Sequence, residues 1–346
     1  MVIKATINII KNCTNLYNNT RKLSNNYSLS AMIQYCTINE SILQGKKYQE
    51  LHREITFWSA CYSNDYLIQH YLSDIDMPSD GKMLFFDIGA NKGYTIASWI
   101  SLWMPYLGIN TRSLGNYLRT KLNLDDCGAC SDCKEDKIEI LNLTSRVNKT
   151  IEIYAFEPQP PTYKLLNHVH QWMNISFLHL YDLAISNETG TGLLMKCHPG
   201  GEACGLNAKS DKKNLSTHIQ ANLITLDKFI EDHKIYRKID LLKVDTEGFD
   251  PLVIQGANTL LTRHQIRLFI FEYHTVGMWS KTSLQYVITY LDNKGYLCYQ
   301  IGKTGIFRLT GCWSTFFETR FWSNVLCISR RESRLIKFIE MLLIKV

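Results

Sequence analysis

The chain has 346 residues, 45% of them hydrophobic and 12% aromatic, which is typical of a globular protein with a sizeable core and excludes a disordered one. The net charge of +6 comes from the two ends, because residues 1–39 carry four basic residues and no acid, and residues 330–346 carry five basic and two acidic ones. A nucleic-acid-binding protein usually carries a basic face on the domain itself, so nucleic acid is disfavoured as a partner. We also expect no transmembrane span, since no stretch is long and apolar enough.

The eleven cysteines are an odd number, and most of them lie in predicted strands and helices. This distribution favours reduced thiols and therefore a cytoplasmic location. The mitochondrion and the secretory pathway stay open as alternatives.

Three cysteines are spaced two residues apart in one polar loop: Cys127, Cys130 and Cys133. This spacing favours a structural Zn²⁺ site, with local disulfides or free thiols as alternatives. No fourth ligand lies nearby in the sequence, so Cys197, His198 or Cys204 would have to supply it.

The chain divides into three parts. Residues 1–80 are expected to form an appended segment with one or more helices, because apolar residues recur at helical spacing over 52–72. Residues 81–330 alternate between predicted strands and helices and form the main α/β domain, interrupted by a cysteine-bearing insertion at 105–150. Residues 331–346 predict an amphipathic, basic C-terminal helix that packs on the domain, with membrane-surface contact the less favoured alternative.

A glycine turn follows the first strand of the main domain. An apolar run ends at Asp87, and Gly89 and Gly93 stand four residues apart before a stretch without Gly or Pro. Glycine lets a ligand approach the backbone, and a helix N-terminus offers unpaired N–H groups to it. The pattern therefore predicts a nucleotide-type pocket, although an ordinary strand-to-helix turn is the alternative. Its order differs from the dinucleotide fingerprint G-x-G-x-x-G.

A second acid ends the next predicted strand, at Glu157-Pro158. A carboxylate at this position can accept hydrogen bonds from both hydroxyls of a ribose, whereas it would repel a 2′-phosphate. NADP is therefore disfavoured. The alternative is a solvated acid at the end of a strand.

Two further strands end in polar residues. The strand at 239–244 leads into Asp245-Thr246-Glu247-Gly248, and the strand at 266–273 leads into His274. The carboxyl ends of strands are where open α/β sheets bind ligands and carry out chemistry. Asp245 could instead cap the following helix, and a histidine after an apolar strand is often a structural residue.

These stretches resemble the FkbM-type S-adenosylmethionine (SAM)-dependent methyltransferases of the class I superfamily. The resemblance rests on three motifs, covers roughly residues 83–104 and 151–275, and is most specific in the last motif: Asp87-x-Gly89-x-Asn91-x-Gly93, Phe156-Glu157-Pro158 and Lys243-x-Asp245-x-Glu247-Gly248. It implies a Rossmann-like α/β fold with a mostly parallel seven-stranded sheet flanked by helices. The last strand is expected to be antiparallel.

The resemblance also implies the cofactor, the reaction and the residues. It implies that SAM contacts seven residues: Asp87, Gly89, Asn91, Gly93, Glu157, Asp182 and Ala184. It implies methyl transfer to a hydroxyl of an unidentified small-molecule or carbohydrate acceptor, with an amine as the alternative nucleophile. Candidates for the catalytic base are Glu247, Asp245 and His274. A nicotinamide (NAD)-dependent oxidoreductase and a catalytically silent SAM-binding protein are the rival interpretations, and the presence of both Asp245 and Glu247 favours an enzyme.

Overall fold

The structure is a computed structural model that describes residues 35–55, 81–124, 150–202, 217–301 and 305–344. Its strands are β1 (Lys82–Ile88), β2 (Thr150–Phe156), β3 (Leu178–Tyr181), β4 (Leu183–Ile185), β5 (Gly190–Met195), β6 (His218–Ile224), β7 (Ile239–Val244), β8 (Ile266–Tyr273), β9 (Tyr296–Ile301), β10 (Ile306–Arg308) and β11 (Ser323–Ser329). Its helices are α1 (Ile38–Ile55), α2 (Tyr94–Trp103), α3 (Thr111–Leu122), α4 (Pro160–Met173), α5 (Leu226–Asp232), α6 (Asp250–Gly256), α7 (Asn258–Thr262), α8 (Leu284–Asn293) and α9 (Ser333–Met341).

The main sheet has eight strands in the order β10-β9-β11-β8-β7-β1-β2-β3. Strands β3, β2, β1, β7 and β8 are parallel, and β11 runs antiparallel to both β8 and β9. The predicted mostly parallel sheet with an antiparallel last strand is therefore confirmed. The expected number of seven strands is exceeded, because the short strand β10 pairs with β9 at one edge.

A second sheet has three strands in the order β4-β6-β5, and its first strand follows β3 directly in the chain. Strand β4 begins two residues after β3 ends, and it pairs in parallel with β6. Strand β5 pairs with β6 in antiparallel fashion. The residues around Asp182 thus connect the two sheets.

Helices cover both faces of the main sheet, which explains why its central strands are continuous apolar runs. On one face the buried side chains of the strands pack with those of α2, α3, α4 and α9. On the other face they pack with those of α1, α5, α6, α7 and α8. Helix α9 buries Leu335, Ile336, Phe338 and Ile339 in the first of these layers. Among the described residues no helix is both long and apolar enough to cross a membrane.

Helix α1 begins earlier than the helical spacing of the sequence predicted. It starts at Ile38, and of the predicted range 52–72 only the first four residues belong to it, while residues 56–80 lie outside the described ranges. Tyr48 is fully buried and meets the rings of Phe307 and Phe317 edge-on, with centroids 5.4 and 5.0 Å away. The helix therefore forms part of the second core layer.

Two disulfides correct the expectation of reduced thiols. Cys36, just before α1, is bonded to Cys312, and Cys298 of β9 is bonded to Cys327 at the directly opposed position of β11. The Cys36 segment is also held by a backbone hydrogen bond from its N–H to the Gly311 carbonyl, at 2.9 Å. The sequence could not reveal these pairs, because 276 residues separate the first two cysteines.

Breaking the Cys36–Cys312 bond should destabilise the fold. We expect Cys36→Ser to lower the free energy of unfolding by about 2–4 kcal/mol, because the cross-link restricts the unfolded chain. Urea unfolding without reductant measures the change. With reductant, the variant and the natural protein should unfold together, since both then lack the bond. Free reaction of Cys36 and Cys312 with iodoacetamide in unreduced, denatured protein would contradict the pairing.

Candidate active site

The turn between β1 and α2 contains two glycines with positive φ angles, and at Gly89 a close backbone contact also leaves no room for a side chain. Gly89 has a φ of 91°, and a Cβ there would lie 1.8 Å from the carbonyl oxygen of Asp245, which directly follows the neighbouring strand β7. Gly93 has a φ of 87° and is the N-cap of α2. Between them, Asn91 is also left-handed, with a φ of 45°. Glycine 89 thus allows the ends of β1 and β7 to approach closely.

Glu157 lies directly beside this turn. Its carboxylate accepts hydrogen bonds from the backbone N–H groups of Asn91, at 3.0 Å, and Gln159, at 2.9 Å. The residue is buried, and burial raises its pKa to about 7 despite these two hydrogen bonds, with Asp87 and Asp245 adding to the increase. Strand β2 pairs in parallel with β1, so the predicted ribose acid and the glycine turn follow adjacent strands at the carboxyl end of the sheet.

Asp87 and Asp245 share one lysine. The Nζ atom of Lys243 lies 2.8 Å from an oxygen of Asp245 and 3.6 Å from an oxygen of the fully buried Asp87. Burial opposes the charge on Lys243, but the two carboxylates outweigh it and raise the pKa of this lysine. Burial likewise opposes the charge on Asp245, but Lys243 holds the pKa of Asp245 below its usual value.

Asp245 therefore belongs to an ion-paired group, and it does not cap the next helix. The N-cap of α6 is Phe249, and no side chain caps that end. The buried acid on α6 is Asp250, which accepts hydrogen bonds from the Thr246 hydroxyl and from the Glu272 N–H, both at 3.2 Å. Burial raises the pKa of Asp250 to about 8, and repulsion from Asp245 adds to this.

Strand β8 brings Glu272 and His274 to the same carboxyl end of the sheet. An oxygen of Glu272 accepts a hydrogen bond from the indole N–H of Trp322, at 2.7 Å. Burial, with repulsion from Asp245 and Asp250, raises the pKa of Glu272 well above its usual value. His274 is buried, which lowers its pKa although Asp245 opposes the shift.

Glu247 lies in a tight turn between β7 and α6. It has a φ of 55°, and Gly248 has a φ of 92°. A Cβ on Gly248 would lie 2.3 Å from the Val276 carbonyl oxygen, and the Gly248 carbonyl accepts a hydrogen bond from the N–H of Met278, at 2.8 Å. The turns after β7 and β8 therefore pack against each other, which brings the segments of Glu247 and His274 together.

The remaining two residues that the resemblance assigns to SAM, Asp182 and Ala184, lie beyond the end of β3. Asp182 is exposed between β3 and β4, and Ala184 is buried in β4 opposite Leu223. The N–H of Glu157 donates to the Tyr181 carbonyl at 3.0 Å, so β3 ends beside the ribose acid. Nine of the ten predicted cofactor and catalytic residues thus lie at the ends of β1, β2, β3, β7 and β8 or in the turns that follow them, and Ala184 lies in β4.

The three loop cysteines, Cys127, Cys130 and Cys133, lie outside the described residues, as does Cys204. Cys197 is disulfide-bonded, which removes it as a fourth zinc ligand, and His198 is exposed. In the described ranges no group of three or more His, Cys, Asp or Glu residues could hold a metal ion.

The sequence reasoning did not assign roles to Lys243, Asp250 and Trp322. The sequence does contain an indication for Lys243. Residues two apart in an extended segment point to the same side, which predicts that the Lys243 and Asp245 side chains are neighbours. Trp322 precedes β11, and its contact with Glu272 depends on the antiparallel pairing of β11 with β8. Nothing local in the sequence indicates that contact.

The sheet order, the glycine turn after β1 and the acid after β2 define a Rossmann-like α/β fold of the class I methyltransferase type. The family described as Methyltransferase FkbM domain matches residues 126–298, which is half of the chain. The chain belongs to this family of methyltransferases. The matched range begins after the glycine turn and includes Glu157, Asp245 and Glu272.

Several solved structures align with this one. An rRNA methylase from Streptococcus thermophilus is 10% identical, with 77% of this chain and 93% of that chain covered and a TM-score of 0.34. Fibrillarin from Aeropyrum pernix, solved with natively bound S-adenosyl-L-methionine, is 13% identical, with 78% and 76% covered and a TM-score of 0.30. The precorrin-6y C5,15-methyltransferase of Geobacter metallireducens is 8% identical, with 77% and 87% covered and a TM-score of 0.31. No curated protein sequence matches the chain.

Proposed function

We propose that the protein transfers the methyl group of SAM to a hydroxyl group of a small-molecule or carbohydrate acceptor. The observation that carries this proposal is the buried carboxylate of Glu157 beside the left-handed turn at Gly89–Gly93. A carboxylate has about four lone-pair sites, and two hydrogen bonds from the backbone leave room for two ribose hydroxyls.

The residues at this edge suit the cofactor. The side-chain oxygen of Asn91 is buried without a hydrogen-bond partner among the described residues, and it lies in the turn whose backbone contacts Glu157. Buried polar atoms normally have partners, so a ligand with a donor group fits this place. We propose that Glu157 and the turn from Gly89 to Gly93 hold SAM.

The charge of the site favours SAM over a dinucleotide. Four acids lie at the ends of β1, β2, β7 and β8 or directly after them: Asp87, Glu157, Asp245 and Glu272. Lys243 forms ion pairs with two of them, Asp87 and Asp245. Carboxylates attract the positive sulfonium of SAM and repel the diphosphate of NAD. This charge pattern and the missing third glycine of the fingerprint argue against an NAD-dependent oxidoreductase.

When bound, SAM would supply a methyl group to the acceptor: a bond forms between the acceptor oxygen and the methyl carbon, the methyl–sulfur bond breaks in line with it, and S-adenosylhomocysteine leaves with the electron pair. Glu247 would accept the proton of the acceptor hydroxyl. Lys243 keeps Asp245 ionised and fixed, so Asp245 would orient the site from beside the cofactor strand. The packed turns after β7 and β8 would align the acceptor and exclude water.

Removing the Glu157 carboxylate tests the proposal. We expect Glu157→Ala to weaken the binding of S-adenosylhomocysteine by about 30- to 1000-fold, because two charge-assisted hydrogen bonds worth about 2–4 kcal/mol are lost. Titration calorimetry measures this affinity. Glu152→Ala, at the other end of the same strand, should leave it unchanged. Equal affinity in Glu157→Ala and the natural protein would refute the assignment.

The same assignment predicts a pH dependence. The pKa of Glu157 is raised to about 7, so the carboxylate becomes protonated as the pH falls through 7. Since the ionised form accepts the ribose hydroxyls, affinity should be lost on acidification, by about tenfold between pH 8 and pH 6. Glu157→Gln should abolish this dependence.

We propose further that the protein resides in an oxidising compartment. The cytoplasmic expectation was based on reduced thiols, whereas the disulfides Cys36–Cys312 and Cys298–Cys327 favour an environment in which such bonds persist. Peptide mapping of unreduced protein from its native cells tests this. Recovery of these four cysteines as free thiols would retire the proposal.

A further inference from the structure

Arg308 lies beside the sulfur atoms of the Cys36–Cys312 disulfide. Strand β10 ends at Arg308, and a turn that contains the left-handed Gly311, with a φ of 72°, brings Cys312 back beside it. The Nη2 and Nε groups of Arg308 donate to the Sγ atom of Cys312, at 3.0 and 3.3 Å, and Nη2 lies 3.9 Å from the Sγ atom of Cys36. Arg308 is itself buried, so a cation faces sulfur in a poorly solvated place.

The guanidinium group of Arg308 is held by a second contact. Its Nη1 group bonds Glu340 of α9, at 3.1 Å, and the other oxygen of Glu340 accepts a hydrogen bond from the Tyr299 hydroxyl, at 2.8 Å. This ion pair uses a nitrogen atom that does not face Cys312. The sulfur of a disulfide is only a weak acceptor, whereas a thiolate is stabilised by a neighbouring arginine. The arrangement therefore suits a negatively charged Cys312 sulfur better than a neutral one.

The cysteines of the two disulfides differ in their exposure. Cys312 is fully buried, whereas Cys36 is partly exposed and follows Tyr35, which is 49% exposed. Cys298 and Cys327 are both fully buried between the paired strands β9 and β11. An attacking thiolate from solvent can therefore reach Cys36, whereas it reaches neither Cys298 nor Cys327 unless the sheet opens.

We infer that the Cys36–Cys312 disulfide is a site of thiol–disulfide exchange with a dithiol reductant, in which Cys36 is attacked and Cys312 is the leaving group stabilised by Arg308. A thiolate of the reductant forms a bond to the Cys36 sulfur, the bond between Cys36 and Cys312 breaks, and its electron pair goes to the Cys312 sulfur. The second thiolate of the reductant then attacks the reductant sulfur of the mixed disulfide. Cys36 leaves as a thiolate and takes up a proton from water.

The sum of these steps transfers two electrons to the protein and turns the dithiol into a disulfide. The reverse sequence, with an oxidised dithiol, closes the bond between Cys36 and Cys312 again. This exchange does not depend on the proposed methyl transfer, because no step involves SAM or the carboxyl ends of the parallel strands.

The first test locates the attacked sulfur in the natural, folded protein. Glutathione is added without denaturant, the reaction is stopped with excess iodoacetamide, and peptide mapping of the unreduced protein locates the products. The first mixed disulfide should form on Cys36, with Cys312 alkylated by iodoacetamide. A first adduct on Cys312, or no adduct on either cysteine, would overturn the inference.

The second test compares the two disulfides in dithiothreitol. In the natural protein, Cys36–Cys312 should open at least about tenfold faster than Cys298–Cys327, because it offers both an accessible sulfur and a stabilised leaving group. Quenching with iodoacetamide at successive times, followed by peptide mapping, measures both rates. Equal rates or the reverse order would contradict the inference.

The third test changes the cation. Arg308→Gln should slow the opening of Cys36–Cys312 by about 3- to 10-fold, because the leaving thiolate loses its neighbouring charge. Arg308→Lys keeps a cation and should stay within about twofold. Cys298–Cys327 is the internal control, and the ratio of the two rates corrects for any general loosening of the fold. An unchanged ratio in Arg308→Gln, or equal slowing in both variants, would overturn the inference. If Arg308→Gln does not fold, the position of the first adduct in the natural protein decides it.

Discussion

Glu247→Gln should lower turnover by about 10²- to 10⁴-fold, which is the usual contribution of a general base. Glutamine is nearly isosteric with glutamate but cannot accept the proton of the acceptor hydroxyl. The affinity for S-adenosylhomocysteine should stay within a few-fold, because Glu247 lies in the left-handed turn after β7, whereas the proposed cofactor contacts directly follow β1 and β2. Single-turnover kinetics with isotopically labelled SAM and a verified acceptor measures the chemical step.

The control for this variant is Glu231→Gln on the solvent-exposed end of α5, where Glu231 pairs with Lys228. It should keep full turnover. If Glu247→Gln also keeps full turnover, the base lies elsewhere. If it loses cofactor binding, Glu247 is a cofactor ligand and the separation between binding and catalysis proposed above is wrong.

Arg267→Ala should lower the free energy of unfolding by about 3–5 kcal/mol. Arg267 is buried and bonds Asp240 at 2.9 Å and Glu332 at 2.8 Å, and both of these acids are buried too. The second oxygen of Asp240 accepts a hydrogen bond from the Leu84 N–H of β1, at 2.8 Å. Removal of the guanidinium would leave two carboxylates without their cation inside the fold, where ionised groups are poorly solvated.

Urea unfolding followed by circular dichroism measures this loss, and Arg263→Ala is the matched control. Arg263 is exposed at the end of α7, so its replacement should change stability by less than about 0.5 kcal/mol. An unchanged unfolding midpoint for Arg267→Ala would show that the buried ion pairs contribute little. The site at the opposite ends of the strands should keep its affinity for S-adenosylhomocysteine in whatever fraction stays folded.

The sequence predicts the centre of this fold well, because the relevant signals are local. Strands β1, β7 and β8 are apolar runs that end in acids or a histidine, so parallel pairing alone brings Asp87, Asp245 and His274 to one edge. The roles of those residues were harder to predict. Whether Asp245 caps a helix or pairs with Lys243 depends on atomic distances that no sequence pattern contains.

The sequence predicts the periphery less well, because its contacts are distant along the chain. The position of α1 depends on Tyr48 packing against Phe307 and Phe317, more than 250 residues away. The hydrogen bond between Trp322 and Glu272 likewise requires the register of β11. The hydrogen bond from the Val276 N–H to Nδ1 of His274, at 3.2 Å, also depends on the turn after β8.

The Cys36–Cys312 bond changes the chemical topology of the molecule. The backbone from residue 36 to residue 312, closed by this bond, is a covalent ring that contains both sheets except for β11. A single proteolytic cut anywhere within the ring opens it but does not divide the molecule, and a cut between residues 312 and 327 leaves the C-terminal part tethered through Cys298–Cys327. A cut before residue 36 or after residue 327 releases a terminal fragment. The strands that carry the proposed active site, from β1 to β8, all lie inside the ring, so one nick leaves every residue of that site on a single covalently connected molecule.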